Sequence, residues 1–140
     1  MVKILVSSCL LGDNCKYNGG NNYCDIESKL SNYEIIKFCP EVSGGLSIPR
    51  TPAEIVNDKV ITSSGDDVTN EFTLGAIRCL ELCKKHNIKK AILKEKSPSC
   101  GVNSIYDGTF SNTLIDGLGI TTKLLKENGI EVISDIEFLK

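Results

Sequence analysis

The sequence is short of several residue types, and each scarcity narrows its chemistry. It holds one histidine, His86, which lies far from any cysteine motif. Sites that depend on paired imidazoles therefore have no material to work with. It has no tryptophan, and the other aromatic residues are few and scattered, which makes a poor platform for stacking nucleic-acid bases. No apolar run approaches membrane-spanning length. The first residues, MVKILVSSCLLGDN, lack the apolar core and small-residue cleavage site of a signal peptide, so the expectation is a cytoplasmic protein with no membrane partner. The net charge of −2 gives no general reason to expect a polyanion as partner. One local exception is the run of Lys84, Lys85, Lys89, Lys90, Lys94 and Lys96. It reads as a solvated face, with a weak anion or RNA contact as the alternative.

What is abundant is cysteine, with seven in 140 residues. The odd number and the expected compartment both disfavour a complete disulfide framework, which raises metal binding or thiol chemistry. With 41% hydrophobic and 24% charged residues, the chain has the size and composition of one domain spanning 1–140.

Residues 2–7 are an apolar, β-branched run that predicts a first strand. A long loop with Gly12, Gly19 and Gly20 follows, then a short helical stretch around 24–31. Residues 33–38 predict a second strand. The segment CPEVSGGLSIPRTPAEI (39–55) contains three of the four prolines and predicts an ordered loop. KVITSS (59–64), after the Asn57-Asp58 turn, predicts a small edge strand. The longest helix starts near Asp66 or Asp67 and ends before Asn87. Its apolar positions Phe72, Ala76, Cys79, Leu80 and Cys83 recur at helical spacing. AILK (91–94) predicts a third main strand, followed by the loop KSPSCGVNSIYDGTF. A helix over about 119–128 ends at Gly129. EVIS (131–134) predicts a fourth main strand, and a short helix begins near Ser134 or Asp135. This alternation predicts an α/β, three-layer, Rossmann-like domain with a mainly parallel sheet. A strand order of 2-1-3-4 would set the loops after strands 1, 2 and 3 side by side, where such sheets bind ligands.

The cysteines sort by surroundings. Cys79 and Cys83 fall on the apolar stripe of the long helix and read as core. Cys15 and Cys24 are either incidental thiols or neighbours of a site. Cys9, Cys39 and Cys100 follow the runs VKILVSS, YEIIKF and KKAILKEKSPS, among glycine- and proline-shaped loops. Their spacing forms no zinc knuckle. Pattern alone leaves two readings: three buried thiols at strand ends, or three soft ligands at one metal centre. Glu41, two residues after Cys39, and Ser97, three before Cys100, would add a proton carrier and an orienting hydroxyl. Their plainer readings are a solvated carboxylate and a local turn before Pro98.

The segments VSSCLLGDNCKYNGG (6–20), CPEVSGGLSIPRTPAEI (39–55), DVTNEFTLGA (67–76), LKEKSPSCG (93–101) and IYDGTF (105–110) resemble the thiouracil desulfidase family. The likeness runs over essentially the whole chain in the same order. It implies a [4Fe–4S] cluster held by Cys9, Cys39 and Cys100, with one iron left open. It also implies catalytic roles for Glu41 and Ser97 in releasing sulfide from a thiouracil. Asn18, in YNGG, stands where an aspartate is common. Arg50, Tyr106 and Asp107 are the polar candidates for gripping a pyrimidine, though Arg50 and Asp107 suit loop-stabilising ion pairs equally and Tyr106 suits packing. The implied partner is a small thiolated pyrimidine, favoured over a thiolated tRNA by the compact domain and acidic balance. The alternatives are a zinc-dependent hydrolase or base deaminase on the same thiols, and a non-enzymatic cluster-carrying sensor or RNA-binding module. The deaminase signatures H-x-E and P-C-x-x-C are missing.

Overall fold

A computed structural model describes residues 2–140. In chain order the elements are β1 (Val2–Ser7), a 3₁₀ turn (Ser8–Leu11), a second 3₁₀ turn (Glu27–Lys29), β2 (Tyr33–Phe38) and α1 (Pro40–Ser43). Then come β3 (Ala53–Val56), β4 (Lys59–Thr62), α2 (Thr69–Lys85), β5 (Lys90–Leu93), β6 (Ser104–Tyr106) and β7 (Leu114–Asp116). α3 (Ile120–Glu127), β8 (Glu131–Ser134) and α4 (Asp135–Phe138) complete the chain. The molecule is a mixed α/β protein built on a parallel four-stranded sheet of order β2-β1-β5-β8, which in terms of the four main strands is 2-1-3-4, the order that sets the loops after the first three side by side. Among the described residues, no helix is long and apolar enough to cross a membrane.

The order follows from the apolar character of β1. Ile4, Leu5 and Val6 are all buried, so β1 is covered on both faces and sits between two neighbours. Alternate residues feed two cores. Leu5, Ala91, Leu93 and Val132 pack with Cys79, Cys83 and Leu125 from the helices. Ile4, Val6 and Ile92 pack with Leu10, Ile26 and Leu30 from the long first loop. Each fully buried aliphatic side chain contributes about 2 kcal/mol of transfer free energy. Cys79 and Cys83 are core thiols, as the helical stripe predicts.

Several expectations are corrected. The stretch 24–31 is not a helix but a single 3₁₀ turn, because so short a run gains too little to nucleate one. KVIT forms the small edge strand expected there, paired antiparallel with β3 in a separate two-stranded sheet that the sequence did not indicate. Asn57 and Asp58 both have positive φ, at 49° and 66°, the backbone that closes a tight two-residue hairpin. The 39–55 loop therefore contains both α1 and β3. The loop after Cys100 contains a second hairpin, β6–β7. α2 begins at Thr69 with Val68 at the cap position, one or two residues past the expected Asp66 or Asp67, and Asp67 accepts from the Thr69 amide at 2.9 Å. The ends of α3 and α4 match expectation. Gly129 has φ 79° after α3, and Ser134 Oγ accepts from the Glu137 amide at 3.0 Å.

The lysine-rich stretch is not one patch. Lys84 and Lys85 end α2, and Lys90 pairs with Glu131 at 3.8 Å. Lys94 and Lys96 lie past the opposite end of β5 and line a cleft.

α1 is pressed backbone to backbone on α2. A Cβ on Gly75 would come within 2.0 Å of the Pro40 carbonyl oxygen, and one on Gly44 within 2.0 Å of the Glu71 oxygen. Gly75→Ala therefore tests the contact with opposed terms. Helix propensity favours alanine by about 1 kcal/mol, while overpacking against a rigid carbonyl costs about 1–3 kcal/mol. Urea or thermal unfolding should show a net loss of stability with near-native far-UV circular dichroism.

Candidate active site

The parallel strands end at one edge, where Ser7 is level with Phe38 and follows the Val6–Ile92 pair. The connections leaving β1 and β5 diverge there, opening a crevice of the kind that binds ligands in α/β sheets. A cleft of about 830 Å³ fills it. Cys9, Cys39, Cys100, Glu41, Ser97, Arg50 and Tyr106 all line that cleft, together with Ser7, Cys15 and Lys94.

Each of these is held by a local device. Cys9 stands on the 3₁₀ turn after β1, and its carbonyl accepts from the amides of Gly12 (3.3 Å) and Asn22 (3.0 Å), folding the long loop back over it. Cys39 is the residue before α1, in extended conformation, and Pro40 starts the helix. Cys100 returns to the strand ends through the 94–101 turn. Two anchors fix that turn. The carbonyls of Pro98, Ser99 and Gly101 accept from the amides of Ile120, Thr121 and Gly119 at 2.8–2.9 Å, which satisfies the amino terminus of α3. On the other side, the buried Glu95 carboxylate accepts from the amides of Val102 (2.7 Å), Asn103 (3.0 Å) and Ser104 (3.2 Å).

Ser97 does two things at once. Its Oγ accepts from the amides of Ser99 and Cys100, both at 3.1 Å, as a local turn requires. Its own O–H proton remains available to a ligand in the cleft. Glu41 receives Arg50 Nη2 at 2.8 Å. Arg50 also donates to the carbonyls of Cys15 (2.9 Å) and Ser47 (3.2 Å), so it ties α1 to the 12–20 loop. Burial pushes the Glu41 carboxyl up from its ordinary value, and the Arg50 guanidinium opposes this without cancelling it.

The thiols differ in electrostatics. Cys15 is pushed far up, chiefly by its thiol neighbours Cys39 and Cys9 and then by burial. The neighbouring Cys15 thiol lowers Cys9, and lowers Cys39 to about 7, in both cases against burial. Burial raises Cys100, whose sulfur receives Ser7 Oγ at 3.7 Å. Among the described residues all seven cysteines are free. No group of three or more histidine, cysteine, aspartate or glutamate side chains there is disposed to hold a single metal ion.

Two sequence candidates fall differently. Asp107 is not among the cleft-lining residues. Its carboxylate accepts from the amide and hydroxyl of Thr109 at 3.0 and 2.6 Å, which lowers its pKa. Cys24 also lies off the cleft, its sulfur 4.0 Å from the Leu10 carbonyl. Asn18 caps its own turn by accepting from the Gly20 amide at 2.9 Å. Sequence reasoning missed Ser7 and Glu95. Ser7 carries a weak signal, a polar residue closing an apolar strand in phase with Leu5. Glu95 carries none, because its partners meet it only in the folded turn.

Fold and site together define a thiol-lined α/β enzyme. The family model described as 2-thiouracil desulfurase matches residues 4–137, and the chain belongs to that family. It is 44% identical to an uncharacterized protein, YbbK, of Bacillus subtilis (strain 168), over 96% of each chain. It is also similar to the solved structure of TudS, a [4Fe-4S]-dependent thiouracil desulfidase. That match has a TM-score of 0.94 and 43% identity, covering 99% of this chain and 94% of the other.

Glu95 offers a test of how the Cys100 turn is held. Burial alone would raise its carboxyl, but the amides of Asn103, Val102 and Ser104 outweigh it and hold it below the ordinary value. A depressed carboxyl stabilises the fold above its unfolded-state pKa, near 4.3, and that stabilisation is lost as pH falls through the folded-state value. Glu95→Gln should cost about 2 kcal/mol at neutral pH. The gap to wild type should close below about pH 4 in unfolding measured across pH.

Proposed function

We propose that the chain is a [4Fe–4S]-dependent desulfidase that converts thiouracil, or a related thiolated pyrimidine, to the oxo base and hydrogen sulfide. The observation that carries this reading is the meeting of Cys9, Cys39 and Cys100 with Glu41 and Ser97 in one cleft. The match to a desulfidase along nearly the full chain supports it. The donor set fits the cofactor. Three soft thiols line one cleft, and thiolate is the ligand type that holds iron–sulfur clusters. A single-ion zinc centre finds no such support. We read the chain as one domain with a three-layer, Rossmann-like architecture. In it α2 and α3 cover one face of the sheet, and the first loop with α4 covers the other. Seven free thiols suit a cytoplasmic setting.

When bound through three thiolates, the cluster supplies one iron without a protein ligand, a thiophilic Lewis acid for a thiocarbonyl sulfur. The remaining work falls to the protein. Ionised Glu41 takes one proton from the water as it attacks the thiocarbonyl carbon and a second as the new hydroxyl collapses to the carbonyl, passing each to the departing sulfur. Arg50 fixes the carboxylate through one oxygen and leaves the other free. Ser97 donates its O–H to the substrate or the water. The C=S bond breaks, a C=O bond forms and sulfur leaves as hydrogen sulfide, with no net redox change. Tyr106 and Arg50 form parts of the wall near the pyrimidine. The cleft opening suits a small molecule better than tRNA, since the basic residues form no continuous face.

Anaerobic reconstitution should load about four irons per chain, and the loaded protein should release sulfide from 2- or 4-thiouracil. One zinc per chain by elemental analysis, with no sulfide release, overturns the reading. Glu41→Ala should keep the iron and lose about 10²–10⁴-fold in turnover, whereas Cys100→Ser should lose iron and activity together.

The raised Glu41 carboxyl also sets a pH dependence. If its ionised form is required, turnover falls as pH drops through a pKa above the ordinary glutamate range. Arg50→Met removes the opposing charge, so the acid limb of the kcat profile should move to still higher pH. An unmoved limb assigns the titration to another group.

A further inference from the structure

We infer that Phe110 recognises the substrate ring, stacking its flat face on the pyrimidine at the wall of the cleft. The role rests on the desulfidase reading and extends it from the sulfur to the base. Phe110 lines the cleft and is 40% exposed, a large apolar ring left facing solvent. Its backbone φ is 56°, in a region that bulky side chains rarely enter and that recurs at ligand clamps. Six described non-glycine residues have positive φ. Asn57 and Asp58 close a hairpin and Asn87 follows α2, whereas Lys96, Phe110 and Asn112 all line the cleft.

The chain around Phe110 is built to hold that conformation. Asp107 accepts from the Thr109 amide and hydroxyl, and its own amide donates to the Thr113 carbonyl at 2.9 Å, which closes the loop. Gly108 lets the loop touch β3, since a Cβ there would come within 2.7 Å of the Ile55 carbonyl oxygen. The Glu54 carboxylate then accepts from the amides of Gly108 at 3.0 Å and Phe110 at 3.2 Å. The other rings on the cleft are less suited. Phe72 is buried and Phe38 packs against the core. Tyr17 is exposed, but Lys16 Nζ lies over its ring, 5.9 Å from the centroid. Tyr106, at the end of β6, forms the wall beside Phe110. A base stacked on an aromatic side chain gains about 10–100-fold in binding, and a ring already held in place loses little freedom when the base arrives.

The test uses the full chain, reconstituted anaerobically, and compares uracil with 5,6-dihydrouracil. The two share their carbonyl and N–H groups, but only uracil is flat and aromatic. Titration calorimetry of the wild type should show uracil bound about ten-fold tighter than dihydrouracil. Phe110→Ala should weaken uracil about 10–100-fold and remove that preference, with iron content and melting temperature unchanged. Phe110→Tyr keeps the flat face and should stay within about two-fold of wild type. In sulfide release from 2-thiouracil, KM should rise in Phe110→Ala more than kcat falls. Phe110→Leu, apolar but not flat, should lose the preference too, and it decides if the alanine variant fails to fold. Wild-type uracil affinity in folded, iron-loaded Phe110→Ala overturns the role of Phe110 and leaves the desulfidase reading standing. So does wild-type protein that releases sulfide yet binds both bases alike. Wild-type protein that releases no sulfide from 2- or 4-thiouracil overturns both.

Discussion

The burial of β1 on both faces is the constraint on which the rest of the molecule depends. Ile4 and Val6 face one core and Leu5 faces the other, so β1 has to lie between β2 and β5. That position brings Ser7, Ser8 and Cys9 to the centre of the carboxyl edge, between the loops that carry Cys39 and Cys100. The strand order then makes the loops on either side diverge, and the cleft opens at that point.

Around that centre, the site is held by contacts that leave little room for adjustment. α1 presents Glu41 because Gly44 and Gly75 let its backbone touch that of α2. The 94–101 turn presents Ser97 and Cys100 because Glu95 gathers one set of amides and the start of α3 donates another. Arg50 ties the two halves by reaching Glu41, Ser47 and Cys15 from one guanidinium. Burial and this single cation act on Glu41 in opposite directions. A carboxyl poised in that way sits nearer to neutral pH than an ordinary one, which suits a group that takes up and returns a proton.

Much of the fold could be read in the residues, for identifiable reasons. Continuous apolar runs such as KILV and KAIL mark strands covered on both faces, and the Phe72-Ala76-Cys79-Cys83 spacing marks the buried side of α2. The two small hairpins escaped notice because β3, β6 and β7 are three or four residues long and lie in loops rich in proline or glycine. Their pairing rests on partners remote in sequence or across short turns. The Glu54 carboxylate links them by accepting from the amides of Gly108 and Phe110. The stretch around Ile26 and Leu30 showed its apolar anchors but not its conformation, since packing against the sheet, not local propensity, holds it.

By itself, the sequence determined which thiols belong to a helix core and which stand in loops after strands. It also determined that three of them, with Glu41 and Ser97, sit on segments able to share one sheet edge. Local periodicity and turn chemistry suffice for that, because both are written in neighbouring residues. Only the tertiary structure decided that Asp107 stays outside the cleft and that Arg50 pairs with Glu41. It alone brought Cys15 into the cleft with Cys9 and Cys39, and set the Ser7 hydroxyl against Cys100. The Arg50–Glu41 and Ser7–Cys100 contacts join residues nine and ninety-three positions apart, and they exist only once the chain has closed into its sheet.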